Sequence, residues 1–270
     1  DEWLPPITGP EWHYRRRARL GIRYVPGKER VLVGFKERAT RYITDMASCR
    51  VLVKPVDALP DALAKLIDKT TLTKRLPQAE IAVGESARAV VLRVLDEPSD
   101  DDLRLVTQFG WEHEIDVYLQ RGGPGTVQAL DAAAARPLSY SLPDFDVALE
   151  FAPTDFVQVN AAINVAMVRR VIELLDIDAK ERVLDLYCGL GNFSLPIARR
   201  AESVLGVEGE AGLVARAAHN SRQNGIKNAR FVKKTLKFPL PRGAGASCAR
   251  LGISFYSTRR ARARMLSSRR

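Results

Sequence analysis

Gly189 and Gly191, in the stretch "VLDLYCGLGNFSLPIA" (residues 183–198), end one apolar run and precede another. "RVLDLYC" has the pattern of a buried strand and "NFSLPIARR" can open a helix, so the glycines fall at a strand's carboxyl end. Open α/β sheets bind ligands there. Glycine reaches positive φ and lets the backbone pass close to a bound molecule. A second strand, "SVLGVE", ends in Glu208, nineteen residues after Gly189. An acid at that distance can accept both hydroxyls of a ribose, which makes this an adenosine site by its spacing. Asp185 stands in the strand end, near where a cationic amino-acid moiety would lie.

The type of adenosine ligand turns on Ser194. A dinucleotide fingerprint wants G-x-G-x-x-G, and Ser194 occupies its third glycine position, which weakens a pyrophosphate reading. S-adenosylmethionine has no phosphate to cradle and suits Asp185 as well as Glu208. An NAD-dependent dehydrogenase and a plain tight turn stay open as alternatives.

The elements around the break alternate. From about residue 157, the amphipathic helix "VQVNAAINVAMVRRVIELL" is followed by strand "RVLDLYC", helix "FSLPIARRA", strand "SVLGVEGE", helix "GLVARAAHNSRQNG" and strand "NARFVKK". That order predicts a parallel, doubly wound sheet with three strands. The first part of the chain reads otherwise. "YRRRARLGIRYV", "RVLVGFKER" and "CRVLVKP" predict strands between 14 and 54, and "DALPDALAKLIDKTTL" predicts a helix. "AVVLRVLDE", "LRLVTQFG", "EIDVYLQ" and "ARPLSYSLPDFDVALEFAP" read as further strands, with a turn at "RGGPG". Residues 1–145 are thus expected to be mainly antiparallel β with one helix.

A chain of 270 residues is long enough for one large or two ordinary domains. It has no apolar stretch of ~18 residues or more, so no membrane partner is expected. The start, "DEWLPPITGP", has neither an initiator Met nor a signal peptide and reads as an internal start. Three scattered cysteines fit a reducing cytoplasm better than a disulfide framework. The net charge of +10 suggests a nucleic-acid partner until it is mapped. Eight arginines lie between 239 and 270 with no acid, and the rest of the chain has 34 basic residues against 32 acidic ones. The charge belongs to the tail, so RNA has to be argued from elsewhere.

"VLDLYCGLGNFSLPIA" together with "FAPTDFVQVNAAIN" resembles the RNA uracil-C5 methyltransferase family. "HYRRRARLGIRYV", "RVLVGFKER" and "SCRVL" resemble its branch that modifies 23S ribosomal RNA rather than the tRNA-modifying relatives. The resemblance spans residues 1 to 236. It implies an α/β fold: a Rossmann-like S-adenosyl-L-methionine-dependent methyltransferase domain (146–236), cut short at its C-terminus. A β-rich α+β central domain (1–145), incomplete at its N-terminus, precedes it. It also implies a cytoplasmic, monomeric enzyme with 23S ribosomal RNA as partner. The family's cofactor contacts fall on Gln158, Tyr187, Asn192 and Glu208. A further contact falls on Thr235, whose hydroxyl lacks the paired geometry of Asn or Asp, and it is left out. Cys49 matches the fourth ligand of a [4Fe-4S] cluster whose other three ligands lie upstream of residue 1. A cluster takes four thiolates, so Cys49 reads here as a partly buried free thiol. "YRRRAR" could face RNA phosphates or be a solvated strand face.

The chemistry that the resemblance implies needs more. A cysteine thiolate adds to C6 of uracil, C5 takes the methyl group, and a carboxylate base removes the C5 proton. Both groups follow a D-P-P-R motif on the fourth strand, which this chain lacks; Cys248, in "GASCARLG", does not match the nucleophile. Read one base out of phase, "ISFYSTRRARAR" (253–264) permits K-L-L-L-D-P-P-R-A-G-A. Residues 237–270 are therefore expected to be a frameshifted, disordered, Arg-rich tail, and the chain inactive. A non-catalytic RNA-binding remnant is the alternative of another class.

Overall fold

A computed structural model describes residues 3–40, 42–235 and 254–257. The chain forms two compact units, Asp1–Ser139 with Ala152–Ile163, and Tyr140–Phe151 with Asn164–Arg270.

The first unit is built on a six-stranded sheet. Its strands are β1 (Arg17–Val25), β2 (Arg30–Gly34), β3 (Gln78–Val83), β4 (Arg88–Arg93), β5 (Asp116–Gln120) and β6 (Val127–Ala129), in the order β2-β1-β3-β4-β5-β6. Alternation along β1 sends Ala18, Leu20 and Ile22 into the core and Arg17, Arg19 and Arg23 to the other face. Helix α1 (Leu59–Ile67) covers the apolar side, burying Leu59, Leu63, Leu66 and Ile67.

Two sequence expectations are corrected here. "LRLVTQFG" lies within helix α2 (Asp100–Glu112), not in a strand. Ser99 Oγ accepts from Asp102 N–H at 3.2 Å, and Asp102 Oδ2 accepts from Ser99 N–H at 3.0 Å. This capping box, with three acids in the first turn, starts the helix. Helical spacing then buries Val106, Phe109 and Gly110. Because β4 and β5 run parallel, a crossover is needed, and α2 supplies it. "CRVLVKP" is a turn rather than a strand: Leu52 N–H donates to Cys49 C=O at 3.0 Å. The segment meets β structure at an isolated bridge between Leu52 and Arg15. The first unit therefore has two helices and a mixed sheet among the described residues.

The second unit is doubly wound, as expected. Strands β9 (Arg182–Leu186), β10 (Ser203–Glu208) and β11 (Ala229–Lys233) are parallel, joined through α4 (Ser194–Ala198) and α5 (Ala211–Gln223). The hairpin of β7 (Leu138–Leu142) and β8 (Val147–Phe151) belongs mostly to this unit. Asn220 and Asn224 on the α5 side hold β8 by its backbone. Glu150 N–H donates to Asn220 Oδ1 at 3.0 Å and Ala148 N–H to Asn224 Oδ1 at 2.8 Å. Helix α3 (Ala161–Leu175) starts with Asn160 Oδ1 accepting from Ile163 N–H at 3.1 Å, an N-cap contact.

The tail departs from expectation at four residues. Ser254–Ser257 form β12, antiparallel to β9, giving the order β11-β10-β9-β12. An open sheet edge is a row of unpaired N–H and C=O groups, and the β-prone "SFYS" can pair with it. Cys248 and the rest of the expected tail lie outside the described residues. Replacing Ser99 with Ala should lower stability by about 1 kcal/mol, read as a lower urea midpoint, because the α2 cap is lost.

Candidate functional site

The backbone leaving β9 enters the left-handed region three times in five residues, at Tyr187 (φ 61°), Gly189 (φ 57°) and Gly191 (φ 100°). For Tyr187 this conformation is strained, and such residues concentrate at functional sites. Its N–H donates to Val207 C=O at 2.8 Å, fixing the residue at the sheet end. The side chain is 46% exposed, so Tyr187 is not a core aromatic. A Cβ on Gly189 would meet nothing within 4 Å, whereas one on Gly191 would come 3.1 Å from Leu195 Cγ. The loop is thus open over Gly189 and packed beneath Gly191.

Glu208 ends β10 beside this loop. Its Oε2 accepts from Gly189 N–H at 3.1 Å, and its Oε1 accepts from Gly209 and Glu210 N–H at 2.6 and 3.1 Å. A carboxylate has about four acceptor sites, so one site on Oε2 is left. A grip on two ribose hydroxyls requires the Gly189 bond to be released or shared.

Asp185, at the end of β9, is buried. Its Oδ2 accepts from Ser194 Oγ at 2.5 Å. Burial pushes its carboxyl up to about 7; the Ser194 bond opposes that rise and the Glu208 charge adds to it. Cys188 is buried too, and burial, with the charges of Asp185 and Glu208, raises its thiol far above the ordinary range. A buried thiol held protonated is a poor nucleophile.

Asn192 sits at the centre of a side-chain network. Its Oδ1 accepts from Tyr140 Oη at 2.8 Å and from Asn164 Nδ2 at 3.0 Å, and its own Nδ2 donates to Asn164 Oδ1 at 3.0 Å. Asn220 acts similarly one residue before the second glycine: its Nδ2 donates to Leu190 C=O and Glu150 C=O, both at 3.1 Å.

The remaining expected positions lie in the first unit. Gln158 is held by its backbone, whose C=O accepts from Arg16 Nε at 2.9 Å. Arg17 donates to Thr154 C=O at 2.6 Å and to Asp155 C=O, and both Arg17 and Arg19 pair with Glu80. Arg16 and Arg17 of "YRRRAR" fasten residues 154–158, while the side chain of Arg19 is 68% exposed. Cys49 is a free, half-buried cysteine, its N–H donating to Asp57 C=O at 2.8 Å. It is the one cysteine of this unit's sequence, against the four thiolates a cluster takes, so these residues do not fit a [4Fe-4S] group. Among the described residues, no group of three or more His, Cys, Asp and Glu could hold a metal ion, and no helix is long and apolar enough to cross a membrane.

Parallel strands β9, β10 and β11 with a glycine loop after the first and an acid at the end of the second make a Rossmann-like fold. The fold is shared with a solved structure, the Pyrococcus abyssi tRNA (uracil-54, C5)-methyltransferase in complex with S-adenosyl-L-homocysteine. The TM-score is 0.66 at 20% identity, over 83% of this chain and 55% of that one. The chain belongs to the tRNA (uracil-5-)-methyltransferase family, whose model matches residues 7–237. It is 49% identical over 243 residues to the 23S rRNA (uracil(1939)-C(5))-methyltransferase RlmD of Methylococcus capsulatus, covering 90% of this chain and 55% of that protein. The RlmD of Aromatoleum aromaticum is 50% identical over 220 residues, 82% of this chain and 51% of that protein. The chain therefore spans about half the length of these relatives.

Sequence reading missed the residues that hold the loop: Tyr140, Asn164, Ser194 and Asn220. A signal existed for two of them. Asn164 begins the buried stripe Asn164, Val168, Ile172 of α3, and Asn220 lies buried in α5. Asn is a poor helix-interior residue, so one on an apolar stripe marks a fixed hydrogen bond.

An acid with a raised value keeps its proton longer folded than unfolded. Stability from Asp185 is therefore full below about pH 4 and declines towards about pH 7, by up to about 1.4 kcal/mol per pH unit. Asp102, whose value is lowered on balance by bonds from Thr71 and Ser99 that outweigh burial, acts at lower pH. Denaturant unfolding between about pH 5 and about pH 7 should show the decline, and Asp185→Asn should flatten it.

Proposed function

We propose that the chain is the cofactor-binding part of a 23S rRNA uracil-C5 methyltransferase and that its second unit binds S-adenosylmethionine. The single observation that carries this reading is Glu208 fixed against Gly189 N–H at 3.1 Å, at the end of β10. The 49% identity to an enzyme named for that reaction supports the substrate. Glu208 takes the ribose through the free site on Oε2, Tyr187 lies against the ligand, and Asn192 supplies a polar contact. Gly189 and Gly191 let the backbone approach. When bound, the cofactor supplies an electrophilic methyl group.

The methyl acceptor is a uridine of 23S ribosomal RNA, bound by a monomer. Turnover needs a thiolate and a carboxylate base, and Cys188 is disqualified by its raised thiol. On this reading the 270-residue chain is a binder without turnover, and its residues 237–270, "GASCARLG" among them, are the product of an out-of-frame gene segment. The iron–sulfur cluster belongs to longer members of the family.

Calorimetric titration should give binding of S-adenosylmethionine and none of NAD. Glu208→Gln should weaken it ten-fold or more, about 1.5–3 kcal/mol for a hydrogen bond to a charged group. Methyl transfer to 23S rRNA by this chain would overturn the inactivity.

A further inference from the structure

Asn192 has a side chain whose hydrogen-bonding capacity is almost filled from within the protein. An amide oxygen offers two lone pairs, and an amide nitrogen two N–H groups. Both lone pairs of Asn192 Oδ1 are engaged, one by Tyr140 Oη at 2.8 Å and one by Asn164 Nδ2 at 3.0 Å. One N–H of Nδ2 is engaged by Asn164 Oδ1 at 3.0 Å. One N–H is left over and no acceptor. Tyr140 and Asn164 are 4% and 1% exposed, so water does not compete for these bonds.

We infer that Tyr140 and Asn164 are positioning residues that lock the Asn192 amide so that it meets the ligand as a hydrogen-bond donor only. The inference rests on the cofactor reading of the loop and deepens it. A donor-only group selects among the parts of an S-adenosyl ligand. It cannot hold the α-ammonium, which is itself donor-only. The ribose hydroxyls have their acceptor in Glu208. The acceptors that remain are the adenine ring nitrogens and the α-carboxylate, and the charged one gives the stronger hydrogen bond. Asn192 is thereby assigned to the amino-acid end of the ligand. Tyr140 and Asn164, which need not touch the ligand, set that assignment through the orientation of one amide.

The network also explains the placement of its parts. Reciprocal amide bonds between Asn164 on α3 and Asn192 after the glycine loop fix both planes at once. A flip of Asn192 that turned Oδ1 outward would set donor against donor and acceptor against acceptor at Asn164, in a buried place where an unmade bond is costly, whereas the Tyr140 hydroxyl can donate or accept.

The test compares two ligands on the full 270-residue chain by calorimetry: S-adenosylhomocysteine, which carries the amino-acid end, and 5′-methylthioadenosine, which lacks it. Tyr140→Phe and Asn164→Ala should each weaken S-adenosylhomocysteine about three- to ten-fold, as for one hydrogen bond of about 1 kcal/mol, and leave 5′-methylthioadenosine unchanged. Asn192→Asp, which replaces the donor by an acceptor, should reduce S-adenosylhomocysteine binding more than either. Tyr140→Phe removes a single oxygen and guards against loss of fold, which a melting curve checks. Equal weakening of both ligands would make the network merely structural and overturn the inference, with the cofactor reading intact. Binding of neither ligand by the unaltered chain would overturn both.

Discussion

The second unit depends on one backbone constraint: the chain must leave β9 through three left-handed residues within five positions, one of them a tyrosine. That conformation is costly for Tyr187, of order 1–3 kcal/mol, and persists only where the surroundings determine it. Four sets of contacts do so. Tyr187 N–H is held by Val207, Leu190 C=O by Asn220, Asn192 by Tyr140 and Asn164, and Ser194 by Asp185. They come from β10, α5, β7, α3 and β9. Five elements of the unit thus place a polar group at this turn.

The same constraint explains why Asp185 is bonded to Ser194. A strand-end acid next to a glycine loop is easily read as facing the site, and its spacing gives no sign of that bond. Ser194 meets the carboxyl, and burial raises its proton affinity. Glu208 is legible because its role is set by main-chain geometry: the acid after the second strand faces the loop after the first in any parallel sheet of this order. Its three backbone donors are not legible, since they depend on how the chain turns at Gly209 and Glu210.

Much of the doubly wound unit could be read from apolar runs and glycines, because a buried parallel strand leaves a dense signature. The first unit was harder. "LRLVTQFG" has the apolar content of a strand, and only the capping box at Ser99 and the acids before it mark a helix. The division of the chain was also not legible. Paired amide bonds from Asn220 and Asn224 to β8 join the hairpin to residues some seventy positions away. In β1, the arginine run has the look of a nucleic-acid surface, yet Arg16 and Arg17 are largely taken up in fastening residues 154–158. Charge in sequence gives no sign of whether its partner lies inside or outside the molecule.

The central claim is that the loop is set before any ligand arrives. A crystal structure of the chain with S-adenosylhomocysteine tests it most directly. The account predicts Tyr187, Gly189 and Gly191 unchanged in the left-handed region, the ribose at Glu208 Oε2, and the carboxylate at Asn192 Nδ2. A loop that rebuilds around the ligand, with Tyr187 leaving positive φ or Asn192 parted from Tyr140 and Asn164, would contradict it.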